Sequence, residues 1–167
     1  MFALYKKHSN ELYNKLVQLS RNKLFYQEIK LKDEFETRAL LIFFHLAIIF
    51  KAGKKGKNKK EFQNVFDNVF KNIEVNIREL GYGDTKVNKT MKMLSKIFYD
   101  IVYVLDKDNF SFKNDIVLIS KYFPSSKKED SEKSKKLAKY LYEFENFCFD
   151  LDVDNVLKDF INFKYRL

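Results

Sequence analysis

The sequence predicts a single all-α domain of about six to eight helices. Three observations carry this. Apolar residues recur at spacings of three and four through most of the 167 residues. One proline and four glycines leave few forced breaks. A composition 46% hydrophobic and 33% charged is that of a globular chain, long enough to bury a core of its own. No period of roughly 20–50 residues repeats, which excludes a solenoid.

The elements follow in order. Leu4, Tyr5, Leu12, Tyr13, Leu16 and Leu19 sit at mostly helical spacing between Leu4 and Ser20. A second short helix is expected over Lys23 to Ile29. Asp33-x-x-Glu36 has the form of a capping box opening a helix to about Lys51. Its centre, ALLIFFHLAIIF, is apolar at every position but His45. That run is too short to span a bilayer, which needs roughly 20 residues, so it reads as the central helix of a bundle. KAGKKGKNKK, residues 51–60, has six lysines and no acid and reads as a loop. Asn58-x-x-Glu61 then caps a long amphipathic helix. Its stripe is Phe62, Phe66, Val69, Ile73, Asn76 and Leu80, widened by Val65, Phe70 and Ile77.

RELGYGDTKVNKTMK, residues 78–92, raises the question of a phosphate loop. A dinucleotide-binding Gly-x-Gly follows a strand; here a helix precedes it, and Asp84 stands where a phosphate would need to approach. The better reading is a corner between helices. Gly81 fits a left-handed C′ position, and Asp84 or Thr85 fits the next N-cap. In the helix that follows, Val87, Met91, Leu94, Phe98, Ile101, Val102 and Leu105 share an arc of about 100°. Lys86, Lys89, Lys92 and Lys96 fall opposite, a basic stripe with no acid among its charges.

Beyond Leu105 the pattern is weaker. Asp106 to Asn109 reads as a loop and Asp115 to Phe123 as a helix stopped by Pro124. SSKKEDSEKSKK, residues 125–136, reads as a solvated loop or helix start. Leu137, Leu141, Phe144, Phe147 and Cys148 mark another helix. A last one carries Val156, Leu157, Phe160 and Ile161 behind a cap at Asp152 or Asp154.

Chemistry-bearing constellations are missing. His8 and His45 are far apart in sequence, and neither pairs with another His or Cys at metal-site spacing. His45 reads as a core histidine. Cys148 is the single cysteine, which rules out a disulfide within the chain and fits a reducing compartment. It lies in a Phe-rich stripe and reads as inert. No catalytic residues, cofactor or metal are expected, and an enzyme is the weakest of the functional readings.

Lys, Asn, Ile, Phe and Tyr have AT-rich codons, so a biased genome would produce much of the composition behind the net charge of +9 and the 18 Phe and 10 Tyr. Placement is therefore more informative than the total. Lys54, Lys55 and Lys57 in the loop, and the four stripe lysines, read either as a solvated linker and helix back face or as contacts for phosphates of anionic lipid or rRNA. Such lysines are poorly suited to reading base edges. A small basic nucleic-acid-binding protein is the alternative reading, without sequence-specific DNA recognition. MFALYKKHSN lacks the apolar core of a secretory signal.

Two stretches carry a resemblance. IRELGYGDTKVNKTMKMLSKIFYD, residues 77–100, resembles the signature of the ubiquinol–cytochrome c chaperone family at Arg78, Glu79, Gly81, Gly83, Asp84, Val87, Lys89, Lys92, Phe98 and Tyr99. SRNKLFYQEIKLKDEFETRALLIFFHL, residues 20–46, is similar to a second family motif at Arg21, Phe25, Tyr26, Asp33, Arg38 and His45. Order and spacing agree across most of residues 10–105. Thr37 replaces a family glycine, Asp100-Ile101 replaces Gly-Arg, and the last third is only loosely similar. The resemblance implies an all-helical, non-enzymatic assembly factor for the cytochrome bc1 complex, with newly made cytochrome b or another bc1 subunit as client. It implies work near the ribosome tunnel exit or at the membrane. A chain that starts almost directly at the domain resembles the bacterial members, cytoplasmic and peripheral at the inner membrane. Tyr82, Phe98 or Tyr99 are expected to help bind the client.

Overall fold

The computed structural model describes residues 11–57, 59–124 and 129–165. Leu4, Tyr5, His8 and the expected cap Asn58 lie outside the described residues. Among the described residues there are seven α-helices, one π-helical turn at Leu24–Glu28, one 3₁₀ turn at Phe160–Asn162, and no strand. The helices are α1 (Glu11–Ser20), α2 (Phe35–Gly53), α3 (Lys59–Glu79), α4 (Asp84–Leu105), α5 (Val117–Tyr122), α6 (Glu129–Asp150) and α7 (Val156–Asp159).

Helix α2 is the axis of the molecule. It packs against α1, α4, α6 and α7, so an apolar side chain on any face finds a partner. Every residue from Leu41 to Ile49 is buried, as the apolar run requires. Phe43 meets Phe70 of α3 and Phe98 of α4 at ring-centroid distances of 5.4 and 5.5 Å. Gly53 closes the helix because Phe62 of α3 occupies the space; a Cβ there would lie 2.0 Å from the Phe62 ring. Only a residue without a side chain lets the two helices approach so closely.

Several local expectations are corrected. The Asp33–Glu36 capping box does not form. Glu34 is the N-cap, with no side-chain cap bond. Asp33 instead holds Arg38, with Oδ1 2.6 Å from Nη2 and 2.7 Å from Nε. Residues 51–60 are not one loop, because α2 runs to Gly53 and α3 begins at Lys59. Lys51 therefore lies on α2, where its Nζ reaches the buried Glu145 of α6 at 2.8 Å. For 125–136 the helix-start reading holds where the chain is described, since α6 begins at Glu129. Leu80, placed in the apolar stripe of α3, is 55% exposed because the helix ends one residue before it. The N-cap position of the last helix is Asn155, which makes no side-chain cap bond. Asp152 accepts from the Asp154 amide at 2.8 Å, and Asp154 accepts from the Lys57 amide at 3.2 Å.

Candidate functional site

The two motif stretches sit in different environments. In the first, the π-turn lays Phe25 against His45 and Tyr140. The His45 ring is fully buried. Its Nδ1 is 2.6 Å from the Leu41 carbonyl, which can only accept, so Nδ1 carries the proton. Nε2 then accepts from the Tyr140 hydroxyl at 2.9 Å. Burial pulls the imidazole from 6.5 down to about 4, so it is neutral at ordinary pH. Both ring nitrogens are satisfied by the protein, as for a structural core histidine.

Tyr26 and Arg38 complete this cluster. The Tyr26 hydroxyl donates to the Ser20 carbonyl at 2.7 Å and ties the π-turn to the end of α1. Burial, reinforced by Asp33, pushes its pKa up to about 12, against the pull of Arg38 and Arg21. Arg21, Tyr26, Asp33 and Arg38 are thus brought together at the entry to α2. Cys148 is fully buried, and burial raises its thiol pKa, which leaves it unreactive.

The second stretch is exposed. Gly81 has φ +85° and its amide donates to the Arg78 carbonyl at 2.9 Å, the left-handed helix ending expected of it. The N-cap of α4 is Gly83, in extended conformation, not Asp84 or Thr85. Asp84 lies in the first turn, 2.5 Å from Arg78, which also holds Glu74 at 2.9 Å. Arg78 thereby clamps the end of α3 to the start of α4. Glu79 is exposed and makes no ion pair among the described residues. The corner is a bend between two helices, with the Asp84 carboxylate in the first turn of α4, where a phosphate would have to approach.

Helix α4 divides as its pattern predicts. Val87, Leu94, Phe98, Ile101 and Leu105 are buried; Lys86, Lys89, Lys92 and Lys96 are all exposed. At 1.5 Å per residue those lysines span about 15 Å. Phe98 is 1% exposed and wedged among Phe43, Phe66 and Phe70, which corrects its expected part in client contact. Tyr82 and Tyr99 remain available, with Lys86 Nζ 3.7 Å above the Tyr82 ring. The lysine pattern alone did not single out Met93 and Tyr103, which are 47% and 67% exposed on the same helix. Of eight exposed large apolar residues among the described residues, five (Leu80, Tyr82, Met93, Tyr99 and Tyr103) belong to the corner and α4. An alternating lysine and aromatic surface is the result.

The loop lysines are more varied. Lys54 pairs with Asp106 at 2.6 Å, fastening the loop to the end of α4, whereas Lys55 and Lys57 are exposed. Asp100, where the family has glycine, binds the Lys121 ammonium at 2.7 Å and the Tyr122 hydroxyl. Those hydrogen bonds hold its carboxyl below the ordinary value.

No group of His, Cys, Asp or Glu among the described residues is arranged to hold a metal ion. None of the described helices is long and apolar enough to cross a membrane. No curated protein and no solved structure matches the chain. A family model described as Ubiquinol-cytochrome C chaperone matches residues 27–159. That match takes in α2 to α7, so it reaches past the stretch covered by the two motifs, while Arg21 and Tyr26 fall just before it. With the greater part of its length inside that match, the chain belongs to the ubiquinol–cytochrome c chaperone family, whose members are non-enzymatic factors in assembly of the bc1 complex.

Proposed function

We propose that this chaperone holds newly made cytochrome b at an anionic surface through the exposed face of α4. The observation that supports this reading is the coincidence of two features on one helix. Four lysines without an acid among them share that face with Met93, Tyr99 and Tyr103. The lysines, with Lys55 and Lys57, attract phosphates of lipid or rRNA. The aromatic and thioether side chains offer polarizable contact to apolar helices emerging at the same surface. The protein works peripherally at the cytoplasmic face of the inner membrane or beside the ribosome tunnel exit. Tyr82 and Tyr99 meet the client.

The test is a quadruple charge reversal, K86E/K89E/K92E/K96E. It is expected to leave folding intact, since all four side chains are exposed, while abolishing co-sedimentation with anionic vesicles or with ribosomes at physiological salt. Crosslinking in cells should recover cytochrome b with the native chain and lose it with the variant. Association unchanged at that salt would reduce the stripe to a solvated face. Recovery of DNA in place of respiratory subunits would favour a nucleic-acid surface.

A further inference from the structure

The N-terminal end of α2 opens into a groove of about 360 Å³, bounded by the strand of chain entering α2, the end of α5 and the first half of α6. Its lining is basic. Among the described lining residues are Lys30, Lys32 and Lys133 and one carboxylate, that of Glu34. Lys30 holds a left-handed backbone, φ 62°, which glycine adopts far more readily than lysine. Two hydroxyls on the lining point to a ligand. Thr37 and Ser134 are 6% and 4% exposed, yet neither side chain has a hydrogen-bond partner among the described residues. No enclosed side-chain polar atom there lacks a partner, so these two oxygens meet the open space of the groove. The third feature is the helix end itself. Glu34 makes no side-chain cap bond, which leaves the first-turn amides of this 19-residue helix uncapped by any side chain.

We propose that this groove binds a phosphate ester. A phosphate carries about 1.5 to 2 negative charges and three terminal oxygens. The first-turn amides of α2 and the Thr37 and Ser134 hydroxyls donate to those oxygens, while Lys30 and Lys32 supply charge. The volume exceeds one phosphate by several water-sized shares of about 30 Å³ each. The ester therefore carries a small organic body, glycerol-sized, against the half-buried Leu31 and Phe123. A soluble phosphate ester and a phospholipid headgroup present the same chemistry. The site is separate from the α4 stripe and does not depend on its role.

Glycerol 3-phosphate titrated into the full chain tests this, with amide resonances of Phe35, Glu36 and Thr37 as readout. Flotation with phosphatidic acid vesicles is the second arm. Saturable amide shifts with the soluble ester are expected if the source is a free metabolite. Protection of the same amides by vesicles alone identifies a headgroup. Thr37→Val and Ser134→Ala should each weaken binding about tenfold, the loss of one hydrogen bond to a charged group. Lys71→Glu, exposed on α3 and outside both the groove and the α4 stripe, should leave it unchanged. Shifts that do not saturate overturn the proposal. So do shifts equally reduced by Lys71→Glu, or undiminished in Ser134→Ala, a variant that removes only an oxygen.

Discussion

Helices α2 and α4 lie against each other and are 19 and 22 residues long, yet they solve different problems. Thirteen residues of α2 are buried and only five of α4. Helix α2 is therefore where a substitution acts on stability. Helix α4 contributes one stripe to the core and keeps the rest for the surface. Helix α2 meets other helices on every side, and His45 at its centre is satisfied internally. A chaperone needs both kinds of helix. A scaffold rigid enough to hold its shape carries a surface free to vary.

Removing a ring from α2 should break this division most visibly. Phe43→Ala leaves a cavity between α2, α3 and α4, and is expected to cost about 3–5 kcal/mol. Chemical denaturation would show it. A loss below about 1 kcal/mol would mean that α2 is not the axis. The second effect is pH-dependent. The folded chain holds His45 near 4 while an unfolded histidine titrates near 6.5. Between those values the unfolded state binds the extra proton. The contribution is therefore complete above about pH 6.5 and lost as pH falls to about 4, by roughly 3 kcal/mol. Urea midpoints across that window should fall steeply in the native chain and less steeply in His45→Leu. Equal slopes would show that other groups govern the acid limb.

The contrast between α2 and α4 also explains what could be read from sequence. Both helices were legible because periodicity reports burial directly: apolar on all sides for α2, apolar on one arc for α4. The lysine stripe was legible for the same reason. Contacts that depend on which helices become neighbours were not. Lys51 reads as part of a lysine loop, and only the crossing of α2 and α6 brings it to Glu145. Phe98 reads as a neighbour of Tyr99, but one residue is 100° on a helix, and that rotation separates core from surface. Caps were misplaced where a local signal had a competitor. Asp33 pairs with Arg38 instead of capping, and Gly83 takes the position that Asp84 would have filled. The groove beside Thr37 gave no sequence signal at all, since it is assembled from three separated segments.

The corner that joins α3 to α4 gives the smallest effect and the sharpest control. Its two glycines look equivalent in sequence, and a Cβ at either would meet nothing within 4 Å. They differ in backbone alone. Gly81 has φ +85°, which an alanine adopts at a cost of about 1 kcal/mol. Gly83 has φ −69° and ψ 162°, ordinary extended backbone for any residue. Gly81→Ala should lower stability by about 1 kcal/mol, and Gly83→Ala should fall within about 0.5 kcal/mol of the native chain. Paired denaturation curves decide it. If Gly83→Ala leaves stability intact but reduces client capture, the second glycine serves close approach of a partner. If neither function nor stability moves, Gly83 is only the residue that starts a helix, and the left-handed turn at Gly81 alone accounts for the bend.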